Sequence, residues 1–116
     1  MARFLRDRHH GDCRLWALVA HHTCAWVEAD ERGLLDALVD EFPMTGGRAD
    51  LLVDCLTYCD LTTGPDGEVV TLEKRLQEIE ERYSPQDVVL RAIRRATPAL
   101  RSAHAQVFKM LAEAER

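Results

Sequence analysis

Apolar side chains recur every three to four positions along nearly the whole chain, and nowhere do apolar and polar residues alternate long enough to outline a strand. That period predicts an all-α fold, a helical bundle of about six helices. A short first helix runs through about Arg8 and breaks at His9-His10-Gly11. Asp12 caps a second helix, which carries Leu15, Leu18, Val19 and His22 at helical spacing. Leu34, Leu35, Leu38, Val39 and Phe42 share one face of a third, stopped by Pro43 and Gly46-Gly47. The fourth extends from about Arg48 to Thr62 and ends in the turn Gly64-Pro65-Asp66-Gly67. Thr71 caps a fifth that holds Leu72, Leu76 and Ile79, with Glu73 set against its dipole. Ser84-Pro85-Gln86-Asp87 predicts a cap at Ser84 with proline in the first helical position. Thr97-Pro98 predicts a break or kink before the stripe Leu100, His104, Val107, Phe108 and Leu111.

When each helix is wound at about 100° per residue, two ionisable groups fall inside apolar arcs. On the fourth helix Ala49, Leu52, Val53, Leu56 and Thr63 cluster, and Asp60 lies in the middle of their arc. Asp50 and Asp54 fall on the polar side. A carboxylate aimed at a core needs a cation, donors or a metal ion beside it, because burying it alone costs several kcal/mol (roughly 2–7 even for a neutral polar group). On the second helix His22 sits centrally among Leu15, Leu18, Val19 and Trp26, with His21 at the flank beside Arg14 and Ala17. An inward imidazole with a free nitrogen suits a divalent metal, and a carboxylate from another helix adds charge neutralisation and a second ligand. The same pattern is met in core histidines bonded to a backbone carbonyl, and Asp60 near a helix end can bond the donors of the Thr62-Thr63-Gly64 turn.

The chain of 116 residues and 13.2 kDa has room for one domain, residues 1–116, and its apolar content of 47% supplies a core. A formal charge of −5 argues against a protein that grips nucleic acid through a broad basic surface, while leaving room for a small phosphate-bearing ligand. The longest apolar run, Leu15 to Ala20, is too short to span a bilayer, and the start lacks an export signal, so a cytoplasmic protein is expected. Cys13, Cys24, Cys55 and Cys59 are then expected as reduced thiols. Cys55 and Cys59, four apart, lack the tight Cys-x-x-Cys knuckle of a structural zinc site and read as small core hydrophobes. His9-His10 offer further imidazoles, with exposed surface histidines as the plainer reading. Arg91, Arg94, Arg95 and Arg101 form a basic stripe whose default reading is a solvated helix face.

The segments Ala2-Arg3-Phe4-Leu5-Arg6, Leu18-Val19-Ala20-His21-His22-Thr23-Cys24-Ala25 and Glu28-Ala29 resemble the later part of small bacterial HD-domain proteins. So do Glu31-Arg32-Gly33-Leu34 and, above all, Tyr58-Cys59-Asp60-Leu61-Thr62-Thr63-Gly64-Pro65-Asp66-Gly67. The likeness continues through Glu73-Lys74-Arg75-Leu76 and Ile79 to Arg82-Tyr83. HD-domain proteins are helical, metal-dependent phosphohydrolases named for an adjacent His-Asp dyad, which binds a divalent metal together with an upstream His and a downstream Asp. The resemblance implies that Asp60 matches the downstream Asp, and His21 or His22 the additional histidines some members carry. It implies a divalent ion (Mn, Fe, Mg or Zn), a small phosphorylated substrate such as a phosphoester or nucleotide, and a metal-activated water that attacks phosphorus. Arg14 is a candidate to steady the substrate.

This chain contains no His-Asp dipeptide, and the family's dyad would lie before Met1. An N-terminally truncated HD domain is therefore expected, incomplete or inactive as it stands. Its counterpart is a non-catalytic helical module whose uncovered apolar faces serve a homodimer or another partner.

Overall fold

The structure, a computed structural model, describes residues 1–9, 12–43 and 49–115. The expected stops at His10-Gly11 and Gly46-Gly47, and the expected helix start at Arg48, lie outside the described residues. The fold is all-α, and among the described residues there is no strand beyond one isolated bridge between Thr63 and Val69. The chain opens with α1 (Ala2–Phe4), continued by a π-helical turn, Leu5–His9. Helix α2 (Cys13–His21) passes through a tight 3-10 turn, His22–Cys24, into α3 (Ala25–Glu31). Helices α4 (Leu35–Glu41), α5 (Ala49–Leu61), α6 (Leu72–Arg82) and α7 (Val88–Ala114) follow.

Side-chain caps account for the starts of α2, α6 and α7. The Asp12 carboxylate accepts the Arg14 amide at 2.8 Å and so caps α2, and the Thr71 hydroxyl accepts the Lys74 amide at 3.2 Å at the head of α6. Gly33, at φ +72°, lets the chain turn out of α3, where Leu34 N–H reaches back to the Ala29 carbonyl at 2.7 Å. Between α5 and α6 the chain doubles back: Gly64 and Glu68 bond through the backbone at 2.8 Å, with Gly67 at φ +81° in the turn.

Two boundaries differ from the sequence reading. Asp87, not Ser84, caps the last helix, accepting the Val89 amide at 2.8 Å. Ser84 is used one turn earlier, where its hydroxyl donates to the Gln86 side chain at 2.6 Å. Thr97-Pro98 does not break the helix, because α7 runs unbroken from Val88 to Ala114. Pro98 has no N–H for the Arg94 carbonyl, and the Thr97 hydroxyl back-bonds to Ile93 O at 2.7 Å.

Helix α7 packs along α5 and α3, and α5 lies against the turn between α2 and α3. Their shared core is Val27, Leu61, Leu72, Leu76, Ala92, Ala96 and Leu100, with Cys24 and Ile93 against it. The arginine stripe is exposed, as expected of a solvated face, and three of its members pair with acids of neighbouring helices. Arg94 holds Glu80 of α6 through two bonds of 2.9 and 2.7 Å, Arg95 holds Asp30 of α3 at 2.6 Å, and Arg101 holds Glu73. Arg95 also lies over the Trp26 ring, 5.9 Å from its centroid. Among the described residues no helix is long and apolar enough to cross a membrane.

Candidate functional site

The site is built where α2 ends. A regular helix would run on from His22 into α3. Instead the chain turns sharply, with Thr23 at φ 57°, ψ 39° and Cys24 at φ 53°, ψ 40°. Two consecutive non-glycine residues in the left-handed region are unusual, and a β-branched threonine there is strained. Helix α5 holds this turn in place. The Thr23 amide donates to Thr57 Oγ1 at 2.8 Å, and the Thr23 hydroxyl donates to Asp60 Oδ2 at 2.6 Å. Thr57 is the buried polar residue of the described core, 2% exposed, and stands one turn before Asp60 on α5.

His22 closes α2, with its amide still bonded to the Leu18 carbonyl, and its ring faces the same carboxylate. His22 Nδ1 lies 2.7 Å from the Val19 carbonyl. A carbonyl only accepts, so Nδ1 carries a proton and Nε2 is the nitrogen turned to the carboxylate. Nε2 is 4.0 Å from Asp60 Oδ2. The gap between Nε2 and the carboxylate suits a shared cation, either a proton on Nε2 or a metal ion. Both side chains are about one-third exposed, 31% and 38%. The core burial expected of Asp60 and His22 is therefore corrected: they meet at the rim, where α2 ends and the chain turns into α3.

The other expected site residues lie elsewhere. The His21 ring turns to the end of α4, where Nε2 donates to the Phe42 carbonyl at 2.6 Å. Phe42 is buried, and Arg6 sits over its ring at 5.3 Å from the centroid. Neighbouring Glu41 accepts two bonds of 2.7 Å from Arg3 and one of 3.1 Å from Arg6, which hold its carboxyl down at about 2. His21 thereby ties α2 to α4 rather than joining His22. Arg14 lies eight residues up the chain from His22, roughly 12 Å along a helix axis. Its guanidinium is engaged by Asp12 at 2.7 Å.

The cysteines are free thiols; Cys13 and Cys59 are exposed, so Cys59 is not the core residue expected of it. Burial raises the Cys24 thiol above its ordinary value, with a smaller push from the Asp54 carboxylate, which leaves Cys24 protonated and unsuited to nucleophilic attack. Of the histidine pair at the first break, His10 lies outside the described residues.

Catalytic metal sites commonly draw three protein ligands and keep one position open. Among the described residues no group of three or more His, Cys, Asp and Glu side chains is placed to hold a metal ion. The His22–Asp60 pair supplies two donors, short of that set. Thr23 and Thr57 escaped the sequence reading, since no glycine or proline marks the turn they stabilise. No protein-family model matches the sequence, and neither a curated protein nor a solved structure matches it.

Proposed function

We propose that the chain is an HD-type helical domain of the metal-dependent phosphohydrolase lineage, in which His22 and Asp60 form two ligands of a divalent-cation site that further ligands must complete. The observation that carries this reading is the approach of His22 Nε2 to Asp60 Oδ2 at 4.0 Å from two segments 38 residues apart in sequence. The orientation of the imidazole adds to it, because Nδ1–H bound to a backbone carbonyl is the arrangement that points a ligand histidine's other nitrogen at a metal. The segments that resemble HD-domain proteins contain both residues. A bound ion would acidify a water and polarise a phosphate oxygen. Within this chain Asp60 brings negative charge, His22 a neutral nitrogen donor, and Thr23 a hydroxyl that fixes the carboxylate. The substrate class is a phosphoester or nucleotide, and the setting cytoplasmic.

The test uses protein purified without a histidine tag. Mn²⁺ binding by calorimetry or electron paramagnetic resonance is expected at one site and weakened about tenfold or more by Asp60→Asn and by His22→Ala. Undetectable Mn²⁺ binding, or binding that both substitutions leave unchanged, ends this reading. Turnover of phosphoesters and nucleotides with added Mn²⁺ is assayed separately.

A second reading, a non-catalytic helical interaction module, is favoured by one observation. Val107 is the last buried side chain of α7, and Phe108, Met110 and Leu111 beyond it are 59%, 40% and 48% exposed. Sedimentation analysis before and after Phe108→Lys distinguishes self-association through that end from a monomer.

A further inference from the structure

We propose that Thr23 is the positioning residue of the His22–Asp60 pair: its strained left-handed backbone, anchored to α5 at both its amide and its hydroxyl, is what brings the imidazole and the carboxylate to one point. This rests on the reading of those two groups as one cation site, and it assigns the assembly of that site to a residue that is itself neither a metal ligand nor ionisable.

Helix α2 sets the register of His22, whose amide still bonds the Leu18 carbonyl, but it does not set the approach of that residue to α5. Left to itself the segment from Cys13 onward would continue as α-helix, and its apolar period runs through His22 to Trp26 without a glycine or proline. The turn exists because α5 supplies two partners at the right spacing, Thr57 Oγ1 for the Thr23 amide at 2.8 Å and Asp60 Oδ2 for the Thr23 hydroxyl at 2.6 Å. Residues three apart on a helix share a face, so Thr57 and Asp60 act as a two-pronged clamp on one residue. Asp60 Oδ2 is the same oxygen that faces His22 Nε2. The Thr23 hydroxyl therefore fixes which carboxylate oxygen, and which of its lone pairs, remains open toward the imidazole. Cys24, the second left-handed residue, packs its half-buried side chain against the core and closes the turn from the other side. Strain of this kind persists only when its surroundings over-determine it, and here two hydrogen bonds and the packing of Cys24 do so.

Three substitutions separate positioning from bulk stability. Thr23→Ser keeps the hydroxyl. Thr23→Gly removes it while fitting φ 57° with less strain than threonine, so this variant has no conformational reason to misfold. Thr23→Asn tolerates the left-handed backbone and offers a different donor. The readouts are long-range ¹H–¹⁵N spectra of the His22 ring, its NOEs to the Asp60 methylene, far-UV circular dichroism and Mn²⁺ affinity. His22→Ala assigns the ring signals. In the wild type and Thr23→Ser, the His22 ring is expected as the single Nδ1–H tautomer, with NOEs to Asp60. Thr23→Gly is expected to keep wild-type helicity and melting behaviour while losing those NOEs and mixing the two tautomers. Its Mn²⁺ affinity should fall about tenfold or more, and that of Thr23→Ser should stay within about twofold.

Retention of the NOEs and of the single tautomer in Thr23→Gly overturns the proposal. So does a Thr23→Ser variant that behaves like Thr23→Gly. Wild-type protein that fails to bind Mn²⁺ defeats the cation-site reading, whereas the NMR comparison still decides the role of Thr23. Loss of His22 order in Thr23→Asn with helicity intact supports a requirement for the hydroxyl itself, and wild-type order in that variant counts against it.

Discussion

Replacing Thr57 by valine tests the clamp from its other side. The two side chains have nearly the same shape, so the substitution swaps a hydroxyl for a methyl at a position 2% exposed and leaves packing almost untouched. Where a buried threonine hydroxyl does nothing, that exchange stabilises, by about 0.8 kcal/mol for the extra apolar group. Here it removes the acceptor, 2.8 Å away, of a backbone amide held in the left-handed region. Leaving such a donor unpaired costs about 1–3 kcal/mol. For 116 residues, an unfolding entropy of about 2.1 cal/mol/K per residue converts that loss into a melting temperature lower by about 4–12 °C. Thermal unfolding followed by circular dichroism reads the shift. Thr57→Ser keeps the acceptor and forfeits a methyl, and should fall by less than Thr57→Val. A valine variant as stable as the wild type, or more stable than the serine variant, would show that the turn does not depend on Thr57.

Leu100 has no exposed surface and sits where α7 meets the core, so Leu100→Ala should cost about 2–5 kcal/mol in urea unfolding. A loss below about 1 kcal/mol would mean that the packing centre lies elsewhere. Bonds from Arg3, then its charge and a bond from Arg6, pull the Glu41 carboxyl from 4.5 to about 2. A carboxyl depressed in the folded state stabilises above its ordinary value and loses that contribution as the pH falls toward about 2. Urea midpoints should therefore decline over that acid range more steeply in the wild type than in Glu41→Gln, and identical profiles would contradict the assignment.

Where an element was legible in the letters, it was legible for a local reason. Asp12 and Thr71 announce helix starts because a cap is a contact within three residues, and the Gly64–Gly67 turn is encoded in the same way. Ser84 and Asp87 compete for one helix, and only the path of the chain out of α6 decides between them. Pro98 reads as a break, yet α7 continues through it, with Ala96 and Leu100 buried on either side and Arg94, Arg95 and Arg101 paired to acids of neighbouring helices. The meeting of His22 with Asp60 was visible in the residue types, whereas its route was not. A helical wheel assumes an unbroken helix, and the turn at Thr23 and Cys24 is imposed by partners on α5 more than 30 residues away. His21, adjacent in sequence, is captured by a carbonyl at the end of α4 for the same reason.

The layout of α7 also sets the order in which the molecule can be made. Val27 on α3 finds its partners Ala92, Ala96 and Leu100 near the far end of the chain, and Asp30 meets Arg95 across 65 residues. A polypeptide emerging from the ribosome has synthesised Val27, Leu61, Leu72 and Leu76 well before the helix that covers them. At about 5–20 residues per second, those side chains wait for seconds with only one another and any nearby chaperone for shelter. Closure of the core is thus a late event in synthesis, and a nascent chain stalled after α6 is the species most exposed to aggregation.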